Sequence, residues 1–156
     1  MTWRRRIEPL TRPIFFTGAR FLRGLTLGVR GLVIDAGQRV LLVEHTYVPG
    51  WYLPGGGVER GETAEQALTR ELLEEAGVRA TTRPKLLSVH DNGAFFPGDH
   101  VLVYRVTDFE TAPFQPGPEI RAIGWFDPSA LPDGATPATR ARLREALEGA
   151  PPDPAW

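Results

Sequence analysis

"GGVERGETAEQALTRELLEEAGV", Gly56 to Val78, reads as a glycine-rich loop running into a helix. Thr63 and Gln66 have capping-box spacing, and Gly77 suits the C-terminal stop. On a wheel of about 100° per residue, Glu71, Glu74 and Glu75 share one face. Leu68, Leu72 and Ala76 form the adjoining apolar stripe, expected to pack on a sheet. Three carboxylates so placed repel one another, which costs a helix some stability. Arg70 lies beside them and can pair with Glu74. Either this ridge is an ordinary solvated surface, since Glu and Arg are good helix formers, or something positive is meant to sit there.

Outward from that stretch, strands dominate. Leu25 to Asp35 and Arg39 to Glu44 are rich in branched apolar residues, with a turn signal at Ala36-Gly37 between them. "YVPGWYLPGGG", Tyr47 to Gly57, is a loop dense in Pro, Gly and aromatics. Leu86 to His90, Val101 to Thr107 and Arg121 to Phe126 read as further strands. "DNGAFFPGD" and "PFQPGPE" read as loops. A second amphipathic helix is expected near Pro137 to Leu147. One internal and one terminal helix among strands predict an α/β fold, a mixed sheet with helices on its faces. Residues 1–24 read as a basic arm, 25–149 as the folded domain, and 150–156 as a loose tail.

Composition narrows the chemistry. The 156 residues suit one domain that can bury a core unaided. There is no cysteine, which removes disulfides, thiol catalysis and Cys-type zinc sites. The only imidazoles are His45, His90 and His100, with no HExxH motif. A net charge of −1 argues against polyanion binding by the whole protein. The charge is uneven, though. Arg4, Arg5, Arg6, Arg12, Arg20, Arg23 and Arg30 face only Glu8 before residue 31. Such an arm can touch phosphates or an anionic surface, or simply be solvated. No signal peptide or membrane span is legible, and a cytoplasmic protein is expected.

Gly56, five residues, Glu62, seven residues, Arg70-Glu71-Leu72, one residue, Glu74-Glu75, one residue, Gly77-Val78 matches the Nudix box at every position. The sequence resembles the Nudix hydrolase family, in its MutT-like form. "WYLPGG" (Trp51 to Gly56) and "WFDPSALP" (Trp125 to Pro132) are likewise similar to stretches of Nudix domains. The resemblance implies an α/β/α sandwich and a hydrolase (a pyrophosphatase) that cleaves a nucleoside diphosphate linked to another group, X. By that carry-over Glu71, Glu74 and Glu75 are the metal-binding and water-activating carboxylates, with Glu75 foremost as a ligand. Glu62, Arg70 and Gly77 brace the loop and helix. A main-chain carbonyl near Gly55 or Gly56 adds to the metal shell, and glycine permits its close approach. The implied cofactor is Mg2+, with Mn2+ as an alternative, because hard divalent cations take oxygen ligands. Glu119, six residues before Trp125, is a candidate extra ligand or general base; the plainer reading is an exposed loop acid.

Tyr47, Trp51 and Tyr52 are candidates to stack on a nucleobase, or are core and rim residues. Phe95 and Phe96, on the loop where many Nudix proteins select X, are candidate contacts for that group, with His90, Asp91 and Asn92 as polar companions. The markers of NADH, coenzyme A and ADP-ribose pyrophosphatases are absent, as is the cysteine used by the isomerase that shares the fold. A nucleotide-type small molecule is the expected substrate. Two other readings stand beside it: an RNA 5′-pyrophosphohydrolase whose arginines hold the backbone, and a non-catalytic Nudix-fold nucleotide-binding module. Nudix dimers are frequent, so a homodimer is among the expectations.

Overall fold

The computed structural model describes residues 24–156. The basic arm expected over 1–24 lies, apart from Gly24, outside the described residues. The chain then runs β1 (Thr26–Val33), β2 (Val40–His45), β3 (Trp51–Tyr52), β4 (Gly55–Gly57), α1 (Ala64–Ala76), β5 (Val78–Ala80), β6 (Lys85–Asp91), β7 (Asp99–Val106), β8 (Phe109–Thr111), β9 (Ile120–Phe126) and α2 (Pro137–Glu148).

Alternation along the strands sorts side chains to two faces. Val29, Val33 and Leu41 join Leu68, Leu72 and Ala76 of α1 in one buried cluster. Leu32, Val40 and Leu42 join Leu143 of α2 in the other. The sheets therefore lie between the two helices, an α/β/α arrangement. Each fully buried leucine contributes about 1.5–3 kcal/mol relative to exposure. Helix α1 sits close to β1 because position 31 is glycine: a Cβ there would lie 2.9 Å from Leu72 Cδ2.

Three sheets share this core. A four-stranded mixed sheet has the order β4-β1-β7-β6, a three-stranded one β3-β2-β9, and a pair joins β5 to β8. The β1–β7 pairing is parallel, Thr26 to Val33 against Asp99 to Val106; β4 runs antiparallel to β1, with Val29 opposite Gly56. This register presses the glycine loop against the centre of the sheet.

Both helix ends are capped as the residue types predict. Thr63 Oγ1 accepts from the Gln66 amide at 3.2 Å, and Gln66 Oε1 accepts from the Thr63 amide at 2.8 Å. Gly77 takes the left-handed conformation, φ 63°. Its amide donates to the Leu73 carbonyl.

The segment expected to be a loose tail is instead docked. The Asp91 amide donates to the Pro154 carbonyl at 2.7 Å, and the Trp156 amide donates to Asp91 at 2.9 Å. These bonds extend the outer edge of β6 by one parallel bridge, Asp91 to Ala155. An open strand edge offers unpaired amides and carbonyls, and the tail takes two of them.

Candidate active site

The glycine loop reaches the glutamate helix through direct hydrogen bonds. The Gly55 amide donates to Glu75 Oε2 at 2.8 Å. Gly55 has φ 147°, and a Cβ on it would overlap the carbonyl of Val29 in β1. Only glycine fits there. At Gly56 the missing side chain makes room for a functional group: a Cβ would collide with the carboxylate of Glu71. Arg30, on β1, holds the same loop from the other side. Its Nη1 donates to the carbonyls of Gly55 at 2.9 Å and Leu53 at 3.2 Å. Arg30, one of the arginines before residue 31, thus belongs to β1 and not to the arm. It is a half-buried strand residue inside the site.

Glu75 is nearly buried. Burial pushes its carboxyl up to about 7, and the negative charges of Glu71 and Glu119 push the same way; the Gly55 amide and Arg30 oppose the rise. A buried acid with acidic neighbours is short of positive charge. His45 does not supply it. Its Nε2 lies 3.8 Å from Glu75 Oε1, but burial, then Arg30, holds its pKa below the ordinary value. His45 is therefore neutral near pH 7, and its Nδ1 has no hydrogen-bond partner among the described residues.

Arg70 ties the loop to the helix. Its Nε and Nη2 donate to the two oxygens of Glu62 at 2.7 and 3.0 Å, and Nη2 also reaches the Gly57 carbonyl at 3.1 Å. Nη1 donates to Glu71 Oε1 at 2.7 Å. The Arg70 guanidinium holds the Glu62 carboxyl down at about 2. The i, i+4 contact with Glu74 is longer, 3.5 Å, and Glu74 is exposed. Arg70 thus braces Glu62 and Glu71 far more than Glu74. Glu119 precedes β9 and is exposed. Its carbonyl accepts from the Thr46 amide at 2.9 Å, and its charge reaches Glu75.

As the side chains stand, no three acidic or imidazole groups among the described residues gather closely enough to hold an ion. Glu71 is turned to Arg70 and Glu75 to the Gly55 amide. The donor set nonetheless fits a hard divalent cation. It is all oxygen, a cation would take the place of the proton that the raised Glu75 carboxyl holds, and glycine leaves it space. The Gly55 carbonyl already accepts from Arg30, so a backbone contribution there would use its second lone pair.

The aromatic candidates part company. Trp51 packs edge-on to Phe126, ring centroids 5.0 Å apart, in the α2-side core. That places it in the packing and not on the cleft. Tyr47 is 71% exposed. Despite that exposure, partial desolvation, then the Glu75 and Glu119 charges, raise its pKa, so its phenol lies in the acidic field. Tyr52 lies beside His45, rings 5.6 Å apart, and donates to Pro49. Beside Gly56, Gly57 and Arg30 opens a cleft of about 440 Å³. Phe96 lines it, whereas Phe95 is 80% exposed and does not. Asn92 and Asp99 also line it, bonded to each other at 2.8 Å. His90 is fully buried on β6, away from the loop carboxylates. Sequence reasoning missed Arg30, His45 and Trp156 as part of this region. The scarcity of histidine was a signal for His45 alone.

A family model described as NUDIX domain matches residues 24–147. Among curated proteins, a Bacillus subtilis (strain 168) protein provisionally named as an 8-oxo-dGTP diphosphatase is 33% identical over 125 residues, 80% of this chain and 82% of the relative. A "MutT-like protein" of Streptomyces ambofaciens is 30% identical, covering 81% of this chain and 80% of the relative. Among solved structures, a MutT NUDIX hydrolase from Burkholderia pseudomallei superposes with a TM-score of 0.68 at 32% identity, over 78% of this chain and 98% of that one.

Proposed function

The chain belongs to the Nudix family and is a pyrophosphohydrolase of nucleoside diphosphate derivatives; from that premise we propose a Mg2+-dependent enzyme whose first substrates to test are nucleoside triphosphates. One observation carries the site assignment: the buried carboxyl of Glu75, bonded to Gly55 and raised to about 7 beside Glu71 and Glu119. Glu75 and Glu71 would hold the ion, with Glu74 and Glu119 as further oxygens at the open side. When bound, a divalent cation would neutralise charge on the diphosphate and on its leaving oxygen.

The residues of the chain then have separate tasks. Arg70 and Glu62 fix the loop so that Glu71 faces Gly56. Arg30 fixes the same loop from β1 and offsets negative charge near the diphosphate. One carboxylate accepts the proton of the attacking water, and we assign that task to Glu119, which is exposed and near enough for its charge to raise the Glu75 pKa. Water adds to phosphorus, the anhydride oxygen leaves with the second phosphoryl group, and the water's proton passes to the carboxylate. The relative named for 8-oxo-dGTP supports triphosphates over dinucleotides as the first panel.

The test is turnover on nucleoside triphosphates, nucleotide sugars, dinucleotides and capped RNA with Mg2+ or Mn2+. Reaction in 18O water, with mass analysis of both products, identifies the phosphorus attacked. Excess EDTA should abolish turnover and added Mg2+ restore it. Activity undiminished in EDTA would overturn the metal-site assignment.

A further inference from the structure

The docked segment ends on Trp156, and that indole forms part of the cleft wall beside the glycine loop. Beyond the two backbone bonds to Asp91, three side-chain contacts fix the segment. The Asp153 carbonyl lies 2.6 Å from His90 Nδ1. Arg142 Nη1 donates to the Ala155 carbonyl at 3.1 Å. Glu145 Oε1 accepts from the Asp153 amide at 3.0 Å and from Arg142 Nη2 at 2.7 Å. Arg142 is 2% exposed and His90 fully buried. An arginine buried to this degree needs partners, and its partners are the tail, Glu145 and His90 Nδ1, the last 2.6 Å from Nη1. Its guanidinium also lies over the Trp156 ring, 5.4 Å from the centroid, and His90 meets the ring edge-on at 5.8 Å. The indole is thus held on a rigid base. It is only half-buried and lines the cleft.

That cleft has a particular chemistry. Gly28 and Val101, paired across β1 and β7, line it, and Gly28 adds no side chain. Phe96, Trp156 and Asp99 line it as well, with Thr26, Arg30 and Asn92. At one end it opens on Gly56 and Gly57, where the diphosphate would lie. A volume of about 440 Å³ falls in the range for a small-molecule site. Two aromatic side chains in a lining that has no side chain at Gly28 suit a planar ring system, and the Asp99 carboxylate in the same lining suits ring or amino N–H donors.

We propose that Trp156 is a specificity-determining residue of the substrate site, the stacking surface for the nucleobase of the nucleoside diphosphate derivative. This rests on the pyrophosphohydrolase reading above and deepens it. The tail is then a functional wall carried in from the far end of the chain. Trp156 touches only the base, so its loss weakens binding and leaves the chemical step alone.

The experiment uses the full chain as wild type, Trp156→Ala and Trp156→Phe, each checked for an intact fold by circular dichroism. KM and kcat are measured on a nucleoside triphosphate and on ribose 5-triphosphate, which lacks the base. In Trp156→Ala, KM for the nucleotide should rise by about tenfold or more with kcat nearly unchanged, while ribose 5-triphosphate should be cleaved as by wild type. Trp156→Phe should recover most of the affinity. In EDTA, where nothing turns over, titration of wild type with the nucleoside triphosphate should quench indole fluorescence. Trp156→Phe should bind but lose that quench. Equal losses on both substrates would mean that Trp156 merely supports the fold, and would overturn the proposal. So would an unchanged KM in Trp156→Ala. Trp156-dependent quenching in a wild type that hydrolyses no nucleotide would sustain this proposal and sink the hydrolase reading instead.

Discussion

The Gly55 amide donates to Glu75 Oε2 at 2.8 Å, so the glycine loop and the glutamate helix are joined at the acid that is most buried in the site. Glu75→Gln tests what that acid is for. The amide keeps the shape and can still accept from Gly55, but the charge is gone. Turnover should fall by about a hundredfold or more, because an anionic oxygen that fixes the cation is lost. Stability without metal should hold or rise, and the stabilisation conferred by Mg2+ should shrink. Glu65→Gln is the control. Glu65 pairs with exposed Arg83, a surface contact worth little, and its variant should behave as wild type. Near-normal turnover of Glu75→Gln at saturating metal would sink the assignment.

Arg70 is a positioning residue in this scheme. Arg70→Lys keeps the charge but cannot grip both oxygens of Glu62 while reaching Glu71 and Gly57. Metal affinity or kcat/KM should drop by about 10–100-fold, as when groups that orient metal ligands are replaced. A Mg2+ titration of activity reads this directly. A variant that matched wild type at low Mg2+ would mean that the fork geometry is not needed.

The helix face toward the sheet carries stability. Leu72 is fully buried against Gly31. Leu72→Ala should cost about 2–5 kcal/mol in urea unfolding, whereas Leu73→Ala, at an exposed position, should cost much less. Equal costs would mean that the helix is rotated from its described orientation.

His90 gives the tail a pH dependence. Burial, then the charge of Arg142, holds its pKa below the ordinary 6.5. His90 Nδ1 lies 2.6 Å from both the Asp153 carbonyl and Arg142 Nη1, so it donates to the one or accepts from the other, and Nε2 lies 2.7 Å from Ser88 Oγ. Between the folded and unfolded pKa values the unfolded chain binds more protons, so stability rises with pH there. The contribution is complete above about pH 6.5 and is lost as pH falls toward the folded value. The melting temperature should decline on acidification through that window, and His90→Gln should flatten the decline. His45 is shifted the same way, so part of the slope should remain. An unaltered slope in His90→Gln would place the linkage elsewhere.

The central helix was legible because its signals are local: Thr63 and Gln66 at one end, Gly77 at the other, a leucine stripe between. The alternation that assigns Val29 and Leu32 to opposite faces is also local. β4 was not legible. Three consecutive glycines have poor strand propensity, and they are extended only because β1 pairs with them. Trp51 could not be told from a substrate contact without knowing that Phe126 meets it. The tail misled for the same reason. Its composition is that of a loose end, and what fixes it is His90, Arg142 and Glu145, each distant in sequence or on another element.

The parallel pairing of β1 with β7 has a kinetic consequence. Thr26 meets Asp99, bonded at 2.6 Å across 73 positions of chain, and everything from the glycine loop to the acidic helix lies within that span. Helix α1 can form early, but its partner strand stays half-paired until β7 has emerged from the ribosome. Contacts of such long sequence separation slow folding, since the chain must close a large loop before it gains them. The acidic ridge is therefore expected to exist, solvated and idle, before the cleft beside it does, and refolding followed by regain of turnover should lag refolding followed by helical circular dichroism.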